Sequence, residues 1–71
     1  MGEDMMLHEL EWTQEGRDTY VYWRARIGNI EIQRDKDNRY WIAPNFENWD
    51  GAYRKLDLIE AQCILYELLG K

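Results

Sequence analysis

The chain has 71 residues, enough for one small domain with a thin core, and its hydrophobic content of 45% excludes a disordered polar tail. Fourteen acidic against nine basic residues give a net charge of −5, which argues against an electrostatic grip on duplex nucleic acid. The single cysteine excludes an internal disulfide, and the absence of serine excludes a serine-based catalytic triad.

The start of the chain lacks both the basic region and the apolar run of a signal peptide. No apolar stretch reaches the roughly 18 residues of a membrane span. We therefore expect a cytoplasmic protein that does not associate with a membrane, and the lone Cys63 favours the same reducing compartment. Because the chain has no repeats or linkers, residues 1–71 are predicted to form a single domain, in which residues 1–7 are a flexible N-terminal segment.

The first predicted element is a strand over about His8 to Thr13. Leu10 and Trp12 alternate there with glutamates, in the period-two pattern of a half-buried strand. A short helix over the Glu-Leu-Glu stretch is the alternative. The next residues, from Gln14 to Asp18, are predicted as a turn.

The clearest strand pattern runs from Thr19 to Ile27, where β-branched and aromatic residues favour a pleated surface. Its two faces differ in character. One face carries the apolar side chains Val21, Trp23, Ala25 and Ile27. The other face carries two tyrosines followed by two arginines, Tyr20, Tyr22, Arg24 and Arg26.

A meander continues from this strand. Gly28-Asn29 allows a tight hairpin, and the chain returns over Ile30 to Arg34. The cluster Asp35 to Asn38 predicts a second turn, and Arg39 to Ala43 the next strand, which Pro44 ends because it cannot donate to a ladder. The antiparallel sheet is therefore predicted to occupy residues 8–44.

The remainder is predicted as a loop and a helix. Residues 45–55 are rich in turn-forming types, and Phe46 and Trp49 are expected to anchor them. The helix covers 57–69, with Asp57 as its N-cap, Glu60 completing a capping box and Gly70 as the C′ glycine. The sequence thus predicts an α+β fold, an antiparallel meander of three to four strands followed by one C-terminal α-helix packed on one face.

The helix carries a wider apolar arc than a small sheet requires. A core-facing stripe is formed by Leu58, Ala61, Leu65 and Leu68, widened by Ile64 and Leu69. A second stripe of Ile59, Cys63 and Tyr66 lies to one side of it. We predict that this second stripe is a homodimer interface, and the alternative is that the Phe46–Trp49 loop covers it.

The tyrosine and arginine face of the sheet is the candidate partner-binding site. Tyr and Arg are enriched at protein interfaces because they bury a large area and still form hydrogen bonds. The predicted contact residues are Tyr20, Tyr22, Arg24, Arg26 and Trp41. Cross-strand pairing on a solvated sheet is an equal alternative, and single-stranded nucleic-acid binding ranks below both because of the net negative charge.

We predict no catalytic residue, no cofactor and no metal site. His8 has no second histidine or cysteine partner that could complete a zinc shell. Cys63 is expected to be a packed, inert thiol in the middle of the helix. A small enzyme using Cys63 and His8 remains the third hypothesis.

Five parts of the chain carry a resemblance to a known group. In order they are a strand with Trp12, the segment Trp23-Arg24-Ala25-Arg26-Ile27-Gly28, a strand with Ile30 and Ile32, Tyr40-Trp41-Ile42 and Leu56-Asp57-Leu58-Ile59-Glu60-Ala61. Over about residues 10–69 the chain resembles small phage and prophage accessory proteins. Members of this group, including some anti-CRISPR proteins, bind and block a host protein, so the resemblance implies a non-enzymatic inhibitor or adaptor. Its contact would be the sheet face or, as the alternative, the acidic segment of residues 1–16 acting as a mimic of nucleic-acid charge. Tyr40 to Pro44 is also similar to HicB-like antitoxins, but the glycine expected soon after the proline is absent.

Overall fold

The computed structural model describes residues 6–70. Five antiparallel strands form one open sheet in the order β1-β2-β3-β4-β5, and one helix follows the last strand. The predicted α+β meander with a C-terminal helix is confirmed, but the sheet has five strands rather than three to four. The elements are β1 (Thr13–Arg17), β2 (Tyr20–Ile27), β3 (Ile30–Asp35), β4 (Tyr40–Ala43), β5 (Tyr53–Leu56) and α1 (Leu58–Leu69).

The core lies between one face of the sheet and the helix. Ala61 and Leu65 are the fully buried residues of α1, which packs mainly against β4 and β5. The other members of the buried cluster come from the sheet and from the N-terminal segment, and they are Leu7, Ile32, Tyr40, Ile42 and Leu56.

The N-terminal segment is not a strand. It forms a 3₁₀ turn over Leu7–Glu9, so the strand predicted over His8 to Thr13 is wrong and the short helix is nearer the observed structure. The reason is tertiary: the Leu7 N–H donates to Gln62 Oε1 at 2.9 Å, and Trp12 Nε1 donates to the Leu7 carbonyl at 2.9 Å. Of the predicted flexible segment 1–7, residues 1–5 lie outside the described residues, whereas Leu7 is in the core.

The segment predicted as a turn over Gln14 to Asp18 is mostly strand β1. The turn is formed by Asp18 and Thr19 alone, between the paired residues Arg17 and Tyr20, and Asp18 takes a φ of +58° there. Gly16 is in the strand itself with a φ of +83°, opposite Val21. Gly16 was interpreted as part of a turn, but it is required because strand β2 approaches its backbone closely.

The loop predicted over 45–55 ends in strand β5, so the sheet extends well beyond residue 44. Tyr40 pairs with Leu56 and Ile42 with Tyr53, with a shift of register between the two pairs. Lys55 has a φ of +56° at this irregularity. Such a bulge interrupts the period-two alternation by which a strand is recognised in a sequence.

The helix begins as predicted, with a complete capping box. Asp57 Oδ1 accepts the Glu60 N–H at 2.8 Å, and the Asp57 N–H donates to Glu60 Oε1 at 3.2 Å. Gly70 ends the helix as its C-cap with a φ of −81°, so it is not the left-handed C′ residue that was predicted. Its N–H still closes the last turn on the Tyr66 carbonyl at 2.9 Å, which needs no left-handed backbone.

Candidate functional site

The register of the sheet brings the predicted partner-binding residues onto one face. Side chains alternate along a strand, so the face opposite the buried Ala25 carries the tyrosines and arginines of β2. Cross-strand pairs add residues of β3 and β4 to this surface. We call it the open face, and it consists of Tyr20, Tyr22, Arg24, Arg26, Glu31, Gln33 and Trp41.

The two arginines of the open face are both neutralised by carboxylates. Arg24 Nη2 lies 2.7 Å from Glu15 Oε2, and Arg26 Nε lies 3.0 Å from Glu31 Oε1. Gln33 Nε2 donates to the other oxygen of Glu31 at 2.8 Å. Glu31 is only 4% exposed, and a buried carboxylate requires such partners because its desolvation is costly.

Aromatic side chains form a cleft on the open face. A cavity of about 420 Å³ is lined by Tyr20, Tyr22, Trp41, Trp49 and Arg54 among others, and we call it the aromatic cleft. The Tyr20 and Tyr22 rings lie 5.7 Å apart and are tilted by 54°. Tyr20 is 73% exposed, so a large aromatic surface is accessible here.

Two residues of the aromatic cleft, Trp49 and Arg54, were missed as candidate contacts. Trp49 was expected only to anchor the loop, and Arg54 belongs to β5, which the sequence did not predict. Arg54 Nη2 donates to the Trp49 carbonyl at 3.3 Å, so the two residues are joined. One sequence feature points to this site: Trp49 is a large aromatic residue in a segment that is otherwise rich in turn-forming residues.

The predicted dimer stripe is exposed on α1. Ile59 is 75% exposed, Tyr66 is 39% exposed and Cys63 is exposed as well. The Phe46–Trp49 loop therefore does not cover it, and the expectation that Cys63 is a packed thiol is wrong. The physical reason is that the arc of α1 that contacts the sheet is centred on Ala61 and Leu65, which leaves the second stripe facing outward.

The structure brings His8 and Cys63 to the walls of one groove beside the start of α1. Among residues 6–70, however, no three His, Cys, Asp or Glu side chains are grouped as metal ligands. Within the same residues, no helix has the length and apolar character needed to cross a bilayer.

Comparison with protein-family models, with curated proteins and with solved structures finds nothing that matches this chain. The function must therefore be argued from the residues and geometry of the open face.

Proposed function

We propose that this chain is a non-enzymatic protein-binding module that contacts its partner with the open face and the aromatic cleft. The observation that carries this proposal is the cleft of about 420 Å³, in which the exposed Tyr20 and three half-buried aromatic residues line the same surface as Arg54. Aromatic and arginine side chains at a concave surface are typical of the residues that dominate binding energy at protein interfaces.

The charges of the open face favour a protein partner over a nucleic acid. Single-stranded nucleic-acid binders combine stacking aromatics with a positively charged groove. Here Arg24 and Arg26 are already paired with carboxylates, and the cations that line the aromatic cleft are accompanied there by Asp35 and Asp37, so the positive charge open to phosphates is partly offset. Single-stranded nucleic-acid binding, or an antitoxin-like regulatory role, is the alternative, and the experiment must distinguish it from protein binding.

The resemblance to phage accessory proteins extends this proposal to the kind of partner. A module that covers a host protein with a rigid sheet face would block that protein by occupying its surface. We accordingly propose a phage-type inhibitor or adaptor acting on a bacterial protein.

We expect the double variant Tyr22→Ala/Arg24→Ala to lose the partner that the wild type captures from a bacterial lysate. Both side chains lie on the exposed side of the sheet, and the Arg24–Glu15 pair is 38% and 28% exposed at its two side chains. The thermal midpoint is expected to fall by only about 5 °C, the equivalent of roughly 1 kcal/mol in a domain of this size. Capture followed by mass spectrometry, with calorimetric melting of both proteins, measures the two effects.

The matched control is Glu67→Ala, which alters an exposed residue of α1 outside every proposed contact surface and should leave capture unchanged. A large loss of stability in the double variant would show that its residues are structural. Unchanged capture would contradict the proposal, and binding of labelled oligonucleotides at low salt that weakens at high salt would favour the nucleic-acid alternative.

We also propose that Ile59, Cys63 and Tyr66 form a two-fold interface between two copies of the chain. The exposure of this apolar stripe supports the proposal, because covering it would stabilise a domain whose own core is thin. Sedimentation at tens of micromolar is expected to show twice the monomer mass for the wild type and the monomer mass for Ile59→Asp. A wild-type protein that sediments as a monomer would contradict it.

A further inference from the structure

A groove lies on the side of the sheet that faces the helix. It has a volume of about 390 Å³, within the range of roughly 300–1,000 Å³ that is usual for small-molecule sites. Its walls come from the N-terminal turn, from the sheet and from the first turns of α1. They are mainly apolar and include Leu7, Trp12, Tyr40, Leu58 and Ile59. We call it the helix groove.

Arg34 contributes the guanidinium of the helix groove. Its Cζ lies 5.2 Å from the centroid of the Trp12 ring and 4.9 Å from that of Trp23, over both rings. Its Nε is buried without a hydrogen-bond partner. Among residues 6–70, no carboxylate forms an ion pair with Arg34, in contrast to Arg24 and Arg26 on the open face.

This arrangement is costly unless an anion joins it. A guanidinium stays protonated at every physiological pH, and the buried Nε–H of Arg34 has no acceptor to replace the water that it has lost. The two tryptophan faces compensate in part through cation–π attraction. The N–H donors of a guanidinium lie in its plane, and a carboxylate can accept two of them with both oxygens.

We propose that the helix groove binds a small amphipathic carboxylate, with its head group on the Arg34 guanidinium and its aliphatic body along the apolar walls. A single arginine matches a single negative charge better than the multiple charges of a phosphate ester. The walls beside it supply the surface that an alkyl chain would bury. This binding activity is additional to the proposed protein contact, since alternation along the strands places the Arg34 side chain and the open-face arginines on opposite faces of the sheet, although Arg34 is also among the residues that line the aromatic cleft. Ile59 and Cys63 of the proposed dimer stripe line the helix groove, so octanoate binding and dimer formation should compete.

The test uses octanoate, below the concentration at which it forms micelles, and titration calorimetry on the full chain. We expect saturable binding with one site per chain and a rise in thermal midpoint as octanoate is added. Octanol, which has the same chain without the charge, and acetate, which has the charge without the chain, are each expected to bind at least about 10-fold more weakly.

Arg34→Met keeps an unbranched apolar stem but removes the charged guanidinium, and it is expected to weaken octanoate binding by about 10- to 100-fold. Arg34→Lys keeps the charge without the planar fork and should show an intermediate loss. Arg24→Met is the matched control, since it removes an arginine from the opposite face and should leave octanoate affinity unchanged.

Three results would overturn the proposal: no saturable binding of octanoate to the wild type, equal affinity for octanol, or an Arg34→Met protein that binds as well as the wild type. The octanol comparison needs no variant, so the test holds even if Arg34→Met does not fold. Tyr22→Ala/Arg24→Ala should still bind octanoate, and this separates a failure of the helix groove from a failure of the proposed protein contact.

Discussion

Gly16→Ala is expected to destabilise the protein by at least about 2 kcal/mol and to lower its thermal midpoint by about 10 °C or more. A Cβ at this position would lie 2.1 Å from the Tyr20 carbonyl oxygen, and the backbone φ of +83° is one that side-chain-bearing residues rarely adopt. The clashing atom is backbone, so relief requires β1 and β2 to separate. Thermal and urea denaturation of the variant and the wild type measure the effect.

Two other glycines separate the contributions to this effect. Gly28 has a φ of +59° with nothing within 4 Å of an added Cβ, so Gly28→Ala should cost only about 1 kcal/mol from backbone strain. Gly51 has neither a positive φ nor a close neighbour, and Gly51→Ala should change stability little. If Gly16→Ala and Gly51→Ala have the same thermal midpoint, this contradicts the close approach of β1 and β2 at Gly16.

The Gly16 position also bears on the open face. Glu15, its neighbour in β1, holds Arg24 at 2.7 Å. A displaced β1 would release that arginine from its carboxylate. A partner that contacts the open face should therefore bind Gly16→Ala differently from the wild type even where the variant stays folded.

Leu7→Ala is expected to cost about 2–5 kcal/mol, the usual range for removing a fully buried leucine from a core. Leu7 is 1% exposed and belongs to the buried cluster, although it precedes the first strand. Its truncation leaves a cavity where the N-terminal turn meets Gln62 of α1. Urea unfolding followed by tryptophan fluorescence measures the loss.

Leu58→Ala is the matched control for Leu7→Ala, because it removes the same atoms from a leucine that is 56% exposed. It should cost less than about 1 kcal/mol. Equal effects of the two substitutions would mean that the N-terminal turn is not docked on the core. A difference of the expected size would establish that a segment with no strand of its own is part of the folded unit.

The arginines on the two faces of the sheet differ in their partners. On the open face, Arg26 is held by the buried Glu31 and lies 4.1 Å from the centroid of the Phe46 ring. On the face toward the helix, Arg34 pairs in register with Trp23 and has aromatic neighbours but no carboxylate partner among residues 6–70. The paired arginines give the open face a balanced charge, which suits a protein surface, whereas Arg34 retains its capacity to bind an anion.

The elements that local signals specify could be predicted from the sequence. The alternation in β2 and the Gly28-Asn29 turn place the β2–β3 hairpin, and the same alternation assigns Tyr22 and Arg24 to one face. Asp57 and Glu60 specify the start of α1. The hairpin, the face assignment and the helix start each depend on residues within a few positions of one another. Composition, charge and spacing therefore determined an acidic α+β meander with a tyrosine and arginine face.

Only the tertiary structure decided the parts that depend on contacts distant in sequence. The N-terminal turn is closed by local hydrogen bonds among residues 6–10, but its docking on the core depends on Gln62, 55 residues away from Leu7, which no local pattern predicts. Strand β5 pairs through a bulge at Lys55, and the period-two signal is lost there. Alternation with Ile32 is enough to place Arg34 on the inner face. Its surroundings are not predictable in this way, because Trp12, from the segment before β1, reaches the guanidinium only when the chain folds.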